Sequence, residues 1–269
     1  MNDQIPNIGF GTWKLKNEPQ SSEIIRQAMA AGYRLFDTAS AYENEEVIGA
    51  GLQGFDREAL CISGKLWNAD RGHVLDACQR SLERLRVDYL DLYLVHWPAS
   101  AAVHPDWQEI NRSVWQQMEA LVALGLTRRI GVSNFKINQL EALLPCCEIP
   151  PFVNQIEMHP GFSQAPLRGF CQQHGIRVQA WSPLRSGRAL KKAEIRSLAE
   201  RCGKSPAQLC LKWCQQNHVT PIVKSTNPER MRENLDLDFV LTASEMEELD
   251  TLPYLGSSGL DSETLTLFG

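Results

Sequence analysis

Residues 49–54 of the chain read GAGLQG, which matches the pattern G-x-G-x-x-G of a dinucleotide-binding turn. In that fold the pattern leaves a strand and opens a helix, so that a pyrophosphate meets the free N–H groups at the helix N-terminus. Here a helical pattern, Glu45-Glu46-Val47-Ile48, runs into the glycines from upstream. The glycines are therefore predicted to lie late in a helix and in its C-terminal turn, with Gly54 just beyond the cap. The negative end of a helix dipole repels phosphate, so we expect a structural role here and a different fold.

The regions around this stretch alternate between short apolar, β-branched runs and amphipathic helical patterns. The predicted strands cover residues 8–12, 34–37, 60–65, 90–95, 129–133, 152–157, 176–181 and 219–223. The predicted helices cover residues 20–31, 44–53, 74–86, 109–124, 137–144, 166–174, 191–201, 206–216, 229–235 and 244–252. Eight such units in single file favour an α/β fold of the (β/α)8 TIM-barrel type over an open sheet. No linker interrupts the pattern, so residues 1–269 are predicted to form a single domain with a short C-terminal tail from about residue 253.

Composition narrows the classes of function. The chain has 269 residues, of which 43% are hydrophobic and 22% charged, and its formal net charge is −5. This charge, without any basic run, argues against nucleic acid or an anionic membrane as the main partner. The N-terminal residues MNDQIPNIGF lack the pattern of a signal peptide, and apolar runs such as residues 90–95 are too short to cross a bilayer. We therefore expect a cytoplasmic protein.

The eight cysteines and six histidines are scattered along the chain. No C-x-x-C pair occurs, and no cluster of histidine or cysteine supplies the ligands that zinc needs. Free, largely buried thiols are expected instead, and no metal is predicted.

Polar residues recur where the second, third and fourth predicted strands end. They are Asp37, Tyr42 in the following loop, Lys65 and His96. Each has a simple structural explanation when taken alone: a turn cap, a packed rim residue, a solvated charge and a hydrogen-bonded core histidine. Together they meet at one rim of the barrel, where the working residues of this fold lie. A lysine beside a phenol would lower the phenol's pKa, and such a tyrosine can donate a proton to a carbonyl oxygen beside a neutral histidine.

Seven blocks resemble the aldo-keto reductase family in its order, and above all its small bacterial members: GYRLFDTASAYENE, KLWN, LYLVHWP, RRIGVSNF, VNQIEMHP, QAWSPL and VKSTNPERMRENL. The resemblance runs from about Gly9 to Leu252. It implies carbonyl reduction with NAD(P)H on a (β/α)8 barrel, with hydride delivered directly from the nicotinamide. By this resemblance Tyr42 is the general acid, Lys65 and Asp37 tune its pKa, and His96 orients the substrate carbonyl.

The same resemblance implies a cofactor site. It assigns Thr12 and Asp37 to the nicotinamide side, Ser133, Asn134 and Gln155 to the carboxamide, and Trp181 to stacking on the ring. It assigns Ser182, Leu184 and Ser186 to the loop that crosses the pyrophosphate, and Glu233 and Asn234 to the adenine.

The 2′-phosphate end of that site is expected at residues 224–230. This block, with Lys224, Ser225, Thr226, Asn227 and Arg230, combines a helix N-terminus with two cations, which suits the 2′-phosphate of NADPH. Some bacterial members carry arginine at the position of Asn227, so NADPH is predicted as cofactor while use of NADH stays open.

Trp13, Trp67 and Trp97 match aromatic walls of the family's substrate pocket, although tryptophans near strand ends also serve as core packing. The loop after His96 and the C-terminal tail are short, which favours a small, open site for aldehydes, small ketones or keto-sugar acids. The family also implies a monomer. Two alternatives remain: a cofactor-binding barrel that acts mainly as a regulatory partner, and a barrel with unrelated lyase or isomerase chemistry.

Overall fold

Eight short parallel strands close into a ring in chain order in the computed structural model, which describes residues 5–264. The strands are β1 (Gly9–Gly11), β2 (Leu35–Asp37), β3 (Cys61–Leu66), β4 (Leu92–Val95), β5 (Ile130–Ser133), β6 (Val153–Glu157), β7 (Arg177–Trp181) and β8 (Val219–Val223). β8 pairs with β1, so that Gly9 lies beside Ile222 and the ring has no free edge. The prediction of a (β/α)8 barrel is confirmed.

Helices surround the ring and connect its strands. They are α1 (Pro19–Ala31), α2 (Glu45–Leu52), α3 (Val74–Leu85), α4 (Trp107–Ala123), α5 (Ile137–Leu143), α6 (Ala165–Gln173), α7 (Ala193–Arg201), α8 (Pro206–Gln216), α9 (Pro228–Leu235) and α10 (Ala243–Asp250). Most bounds lie within two residues of the prediction. The start of α7 was placed too early, because residues 189–191 form a separate 3-10 turn and Lys192 is extended before the helix begins.

The strands alternate their side chains between two apolar regions. On β4, Leu92 and Leu94 pack with Val153 in a small cluster inside the barrel. Tyr93 and Val95 point the other way and join the large cluster between the barrel and its helices. Burying one side chain of this size stabilises the fold by about 1.5–3 kcal/mol, so the layer between strands and helices dominates the hydrophobic contribution.

The GAGLQG stretch lies within α2 and just beyond it. Gly49 is in the middle of the helix, where an added Cβ would be 2.4 Å from the carbonyl oxygen of Leu85. Gly51 lies in the last turn, where a Cβ would be 2.6 Å from Cβ of Ile25. The expected role as a helix end therefore applies only to Gly54, whose φ is +88°. The first two glycines let α2 approach α1 and α3 closely, a packing role that the sequence pattern did not predict.

All eight cysteines are free thiols, and five of them are buried. Burial raises the pKa of Cys61, Cys78 and Cys210 to about 12. Such thiols behave as small apolar side chains. Within residues 5–264 no group of three or more histidine, cysteine or acidic side chains is close enough to hold a metal ion. No helix in the same range is long and apolar enough to span a membrane.

The C-terminal tail returns across the end of the barrel at which the strands finish. Glu157, the last residue of β6, accepts hydrogen bonds from the backbone N–H of Ser258 at 2.8 Å and from its hydroxyl at 2.7 Å. Lys136, just before α5, forms ion pairs with Asp261 and Glu263. The tail therefore closes over this end of the barrel. The predicted domain includes residues 1–4 and 265–269, which lie outside the described residues.

Candidate active site

Four polar side chains from neighbouring strands meet at the carboxyl end of the barrel. Asp37 is the last residue of β2, Lys65 the next to last of β3, and His96 directly follows β4. Tyr42 ends a 3-10 turn after β2. The parallel order β2–β3–β4 brings these positions together, as the barrel prediction required.

A buried asparagine fixes the loop that carries Tyr42. Asn44, which has no solvent exposure, donates hydrogen bonds through Nδ2 to the carbonyl oxygens of Thr12 and Leu15, both at 2.9 Å. Its side-chain oxygen accepts from the Thr38 hydroxyl. The loops after β1 and β2 are thus held together beside the site. Sequence reasoning missed this residue. An asparagine directly before a helix indicates local capping, but this side chain makes no capping hydrogen bond and contacts the β1 loop instead.

Lys65 is the centre of the cluster. Its Nζ donates to Oδ2 of Asp37 at 2.6 Å and to the carbonyl oxygen of Thr38 at 3.0 Å. The third direction points to the hydroxyl of Tyr42, 3.5 Å away. The ammonium has three donors, and all three are thereby directed to oxygen atoms. Because the side chains of Lys65 and Asp37 are almost fully buried, their ion pair is protected from solvent screening.

The pKa of Tyr42 is raised above its usual value. Burial is the largest cause, Lys65 opposes it, and Asp37 adds to it. Lys65 lowers the phenol's pKa, as expected, but the loss of solvation is the larger effect, so the net shift is upward. At neutral pH the hydroxyl keeps its proton. The pKa of Lys65 is also raised, since Asp37 and Tyr42 together outweigh the effect of burial.

His96 is neutral. Burial lowers its pKa well below the usual value, and Lys65 lowers it further. Its ring meets Tyr42 and Trp67 edge to face, at centroid distances of 5.6 and 5.3 Å. Within residues 5–264 its Nδ1 has no hydrogen-bond partner. A neutral imidazole can offer one N–H donor to a carbonyl oxygen beside the Tyr42 hydroxyl.

A cavity of about 1490 Å³ opens above these residues and extends across the barrel end. It is lined by most of the predicted site residues: Asp37, Tyr42, His96, Ser133, Asn134, Gln155, Trp181, Ser182, Leu184, Ser186, Lys224, Ser225, Thr226, Arg230, Glu233, Asn234, Trp13, Trp67 and Trp97. Thr12 and Lys65 are buried behind the wall, and Asn227 is exposed and does not line the cavity. The buried Thr12 donates its hydroxyl to the carbonyl oxygen of Asp37 at 3.0 Å and so supports that strand end.

Three amide and hydroxyl side chains form a closed network on one side of the cavity. Gln155 donates to Oδ1 of Asp37 at 2.8 Å and to Gln179 at 3.0 Å. Asn134 donates to the carbonyl oxygen of His96 and to Ser133. Its oxygen accepts from the indole N–H of Trp181 at 2.8 Å, which fixes that ring at the end of β7. The donors of these amides are occupied, so the network offers mainly acceptors to a ligand.

The loop after β7 contains backbone in an unusual conformation. Ser182, Arg185 and Ser186 have φ values of +52°, +48° and +51°, which non-glycine residues adopt rarely. Each such residue costs about 1–2 kcal/mol. Strain of this kind is concentrated at ligand-binding loops, and this loop forms part of the cavity wall.

The far end of the cavity is cationic. Lys224 and Arg230 line it together with Lys14 from the loop after β1, and within residues 5–264 no carboxylate forms an ion pair with any of the three. Burial and the neighbouring Lys14 lower the pKa of Lys224. Asn227 is oriented differently from the expected ligand contact: its Oδ1 accepts from the backbone N–H groups of Glu229 and Arg230 and caps α9. Lys14 was missed because β1 and β8 become neighbours only when the ring closes.

The three tryptophans differ in exposure. Trp13 is 48% exposed at the rim, with Nζ of Lys14 4.2 Å from its ring centre, whereas Trp97 is only 6% exposed. All three contribute to the cavity wall, and Leu260 of the tail joins them. The tail was expected to be short, but its contact with the cavity was not predicted.

Comparison with known proteins places this arrangement among reductases. A model described as the Aldo/keto reductase family matches residues 7–253. Glyoxal reductase of Bacillus subtilis is 42% identical over 254 residues, which cover 93% of this chain and 89% of that protein. Methylglyoxal reductase DkgA of Salmonella typhimurium is 40% identical over 253 residues, with coverage of 92% and 90%.

Solved structures of similar fold support the same family assignment. The crystal structure of Gox0644 in its apo form has a TM-score of 0.89 and 38% identity, covering 97% of this chain and 94% of that one. A mutant of Gox0644 in complex with NADPH has a TM-score of 0.88 and 38% identity, with coverage of 96% and 93%.

Proposed function

Because the chain belongs to the aldo/keto reductase family of NAD(P)H-dependent oxidoreductases, we propose that it reduces small aldehydes and ketones to alcohols with NADPH, using Tyr42 as the proton donor. The observation that carries this proposal is the buried Lys65 ammonium, held by Asp37 and directed at the Tyr42 hydroxyl beneath a large cavity.

The residues present fit a phosphorylated dinucleotide. Unpaired cations at one end of the cavity, Lys14, Lys224 and Arg230, suit phosphate groups. At the other end, the amide acceptors of Asn134 and Gln155 suit the NH2 group of a carboxamide, and the fixed indole of Trp181 offers a flat surface beside them. NADPH binding by a structural relative supports the same choice of cofactor.

We assign the remaining wall residues by position. Ser182, Leu184 and Ser186 would contact the pyrophosphate, Ser225 and Thr226 the 2′-phosphate region, and Glu233 and Asn234 the adenine. Ser133 would support these contacts from the wall itself, Thr12 from behind it and Asn227 by capping α9. When bound, the cofactor supplies a hydride to the carbonyl carbon.

The protein itself supplies the proton that the carbonyl oxygen takes up, and it holds that proton on the Tyr42 hydroxyl. The half-buried Tyr42, whose pKa is raised, keeps its hydroxyl proton at neutral pH and donates it to the carbonyl oxygen as negative charge develops there. The ammonium of Lys65 stabilises the phenolate that remains, and Asp37 keeps that ammonium charged and in place. The neutral His96 orients the same oxygen through a ring N–H.

Replacement of Tyr42 by phenylalanine tests the proposal. A positioned general acid contributes about 10²–10⁴-fold, so kcat/KM for a small aldehyde is expected to fall by at least about 100-fold. Binding of NADPH, followed by quenching of tryptophan fluorescence, is expected to change little. Reductase activity near the wild-type level in Tyr42→Phe would refute the assigned role. Consumption of NADPH and of NADH with a panel of aldehydes and ketones would then define the substrate range.

We also propose that residues 1–269 act as one domain and as a monomer. The closed ring and the continuous apolar layer around it support a single domain for residues 5–264, and the monomer rests on the family resemblance. Light scattering coupled to gel filtration measures the mass directly, and a mass of twice 30.3 kDa would refute the monomer. The cytoplasmic location stays a prediction.

A further inference from the structure

Charge divides the wall of the cavity into two sides. The ring order places the segments after β2 and β3 on the side of Tyr42, and the segments after β7 and β8 on the opposite side. The loop after β1, which carries Lys14, lies between them and is held to the Tyr42 loop by Asn44. The acidic residues that line the Tyr42 side are Asp37, Glu43, Glu45, Glu46 and Asp70. The cations there are Arg80 and Arg84 in the wall and Lys65 directly behind it.

Every one of these three cations is already neutralised by a carboxylate. The pairs are Lys65–Asp37, Arg80–Asp70 and Arg84–Glu45, each with an N···O distance of 2.6 Å. Glu45 is only 1% exposed, so its pair with Arg84 is held in place by the surrounding structure. Among the described residues after β2 and β3, no unpaired cation therefore lines the cavity. The one unpaired lysine of the adjoining β1 loop is Lys14, whose Nζ lies 4.2 Å from the ring centre of Trp13.

Two carboxylates on this side have no such partner. Glu43 and Glu46 are exposed, they line the cavity, and no lysine or arginine of residues 5–264 lies within ion-pair distance of either. The Tyr42 side therefore carries a net negative charge, which acts on a charged group that enters the cavity from this side.

The opposite side has the reverse character. Lys191, Lys224 and Arg230 line it without an ion-pair partner in the described part of the chain, against the single carboxylate of Glu233, and Lys14 of the β1 loop adjoins Lys224. Anionic groups are attracted to this side, which the proposed function assigns to the cofactor. Because the cofactor would occupy that side, a carboxylate on the substrate would have to lie on the Tyr42 side.

We propose that the Tyr42 side of the cavity selects uncharged carbonyl compounds and disfavours keto acids and other carboxylates. The proposal rests on the reductase function proposed above and narrows its substrate class. Two like charges about 8 Å apart, at an effective dielectric constant of about 40–80, change a binding constant about two- to sixfold. The two unpaired glutamates together would then disfavour a carboxylate substrate by about 5- to 30-fold.

A pair of aldehydes that differ only in charge tests this directly. The substrates are 4-formylbenzoate and its uncharged methyl ester, each measured as kcat/KM with saturating NADPH. We expect the ester to be preferred at least about fivefold in 0.05 M salt. Raising the salt to 1 M shortens the Debye length to about 3 Å, so the preference is expected to shrink severalfold. The intrinsic difference in reactivity of the two aldehydes does not depend on salt in this way, so the salt dependence isolates the charge effect.

Glutamine substitutions locate the effect. Glu46→Gln and Glu43→Gln remove one negative charge each, and each is expected to raise the carboxylate-to-ester ratio about two- to sixfold. Glu200→Gln removes an equally exposed charge on α7, outside the cavity wall, and is expected to leave the ratio unchanged.

The outcomes separate the two proposals. If neither aldehyde is reduced, the proposed function is wrong, and the substrate selection is wrong with it. If both are reduced and the carboxylate is used as well as the ester at low salt, only the charge selection is overturned. The same conclusion follows if the ratio responds neither to salt nor to Glu46→Gln.

Discussion

Replacing Gly49 by alanine would place a methyl group 2.4 Å from the carbonyl oxygen of Leu85, about 1 Å closer than an ordinary contact. The oxygen belongs to backbone at the end of α3, so neither partner can move by a simple rotation. Overpacking of this kind costs about 1–3 kcal/mol, and a backbone clash falls at the upper end. Alanine is favoured over glycine in a helix by about 0.5–1 kcal/mol. The net loss in the free energy of unfolding is therefore expected to be about 2 kcal/mol.

Thermal unfolding converts this loss into a measurable shift. With an unfolding entropy of about 2.1 cal/mol/K per residue over 269 residues, a loss of about 2 kcal/mol lowers Tm by about 3–4 °C. Gly169→Ala is the matched control, because Gly169 lies inside α6 and a Cβ there would meet nothing within 4 Å. It is expected to raise Tm by about 1–2 °C.

The decisive result is a lower Tm for Gly49→Ala together with a higher Tm for Gly169→Ala. If Gly49→Ala stabilises the protein as Gly169→Ala does, the close packing of α2 against α3 is wrong. NADPH affinity, measured well below Tm, is expected to be the same in both variants and the wild type. A large and selective loss of affinity in Gly49→Ala would show that GAGLQG binds the cofactor after all.

Three further substitutions test the site. Asp37→Asn leaves the buried ammonium of Lys65 without its partner and is expected to cost about 3–5 kcal/mol in urea denaturation. Lys224→Ala combined with Arg230→Ala is expected to weaken NADPH far more than NADH in fluorescence titrations, whereas equal losses would show that the 2′-phosphate lies elsewhere. The pKa of His96 in the folded protein lies below its value of about 6.5 in the unfolded chain. The neutral His96 therefore contributes fully to the free energy of unfolding above about pH 6.5, and this contribution is lost as the pH falls. Between pH 7.5 and 5.5 the wild type is expected to lose more stability than His96→Asn, up to about 1.4 kcal/mol if His96 stays neutral throughout.

The barrel and the positions of its strand-end residues could be predicted because both depend on order along the chain. Alternating strands and helices with right-handed crossovers leave few topologies, and consecutive parallel strands bring Asp37, Lys65 and His96 to one rim. The tyrosine loop follows from the same reasoning, since it is only five residues from the end of its strand.

Features that depend on distances across the molecule could not be predicted in this way. Hydrophobic periodicity shows which face of α2 is buried, but not how closely another helix approaches it, so the packing role of Gly49 was missed. The pKa of Tyr42 depends on the balance between lost solvation and a nearby ammonium, and the residue types alone do not indicate which effect is larger. Lys14 meets Lys224, and Ser258 meets Glu157, only after the ring has closed and the tail has folded back.

The pairing of β8 with β1 also sets the order in which this protein can assemble during its synthesis. A ribosome adds about 5–20 residues per second, so roughly 10–40 s separate the first strand from the last. Throughout that interval one edge of β1 is unpaired. The loop with Lys14 is already present, but the segment with Lys224, which completes the cavity wall, has not yet been synthesised. A nascent chain that ends before β8 does not contain the complete site. If the ribosome stalls there, the chain has an open sheet edge and exposed apolar strands. Chaperones bind surfaces of this kind.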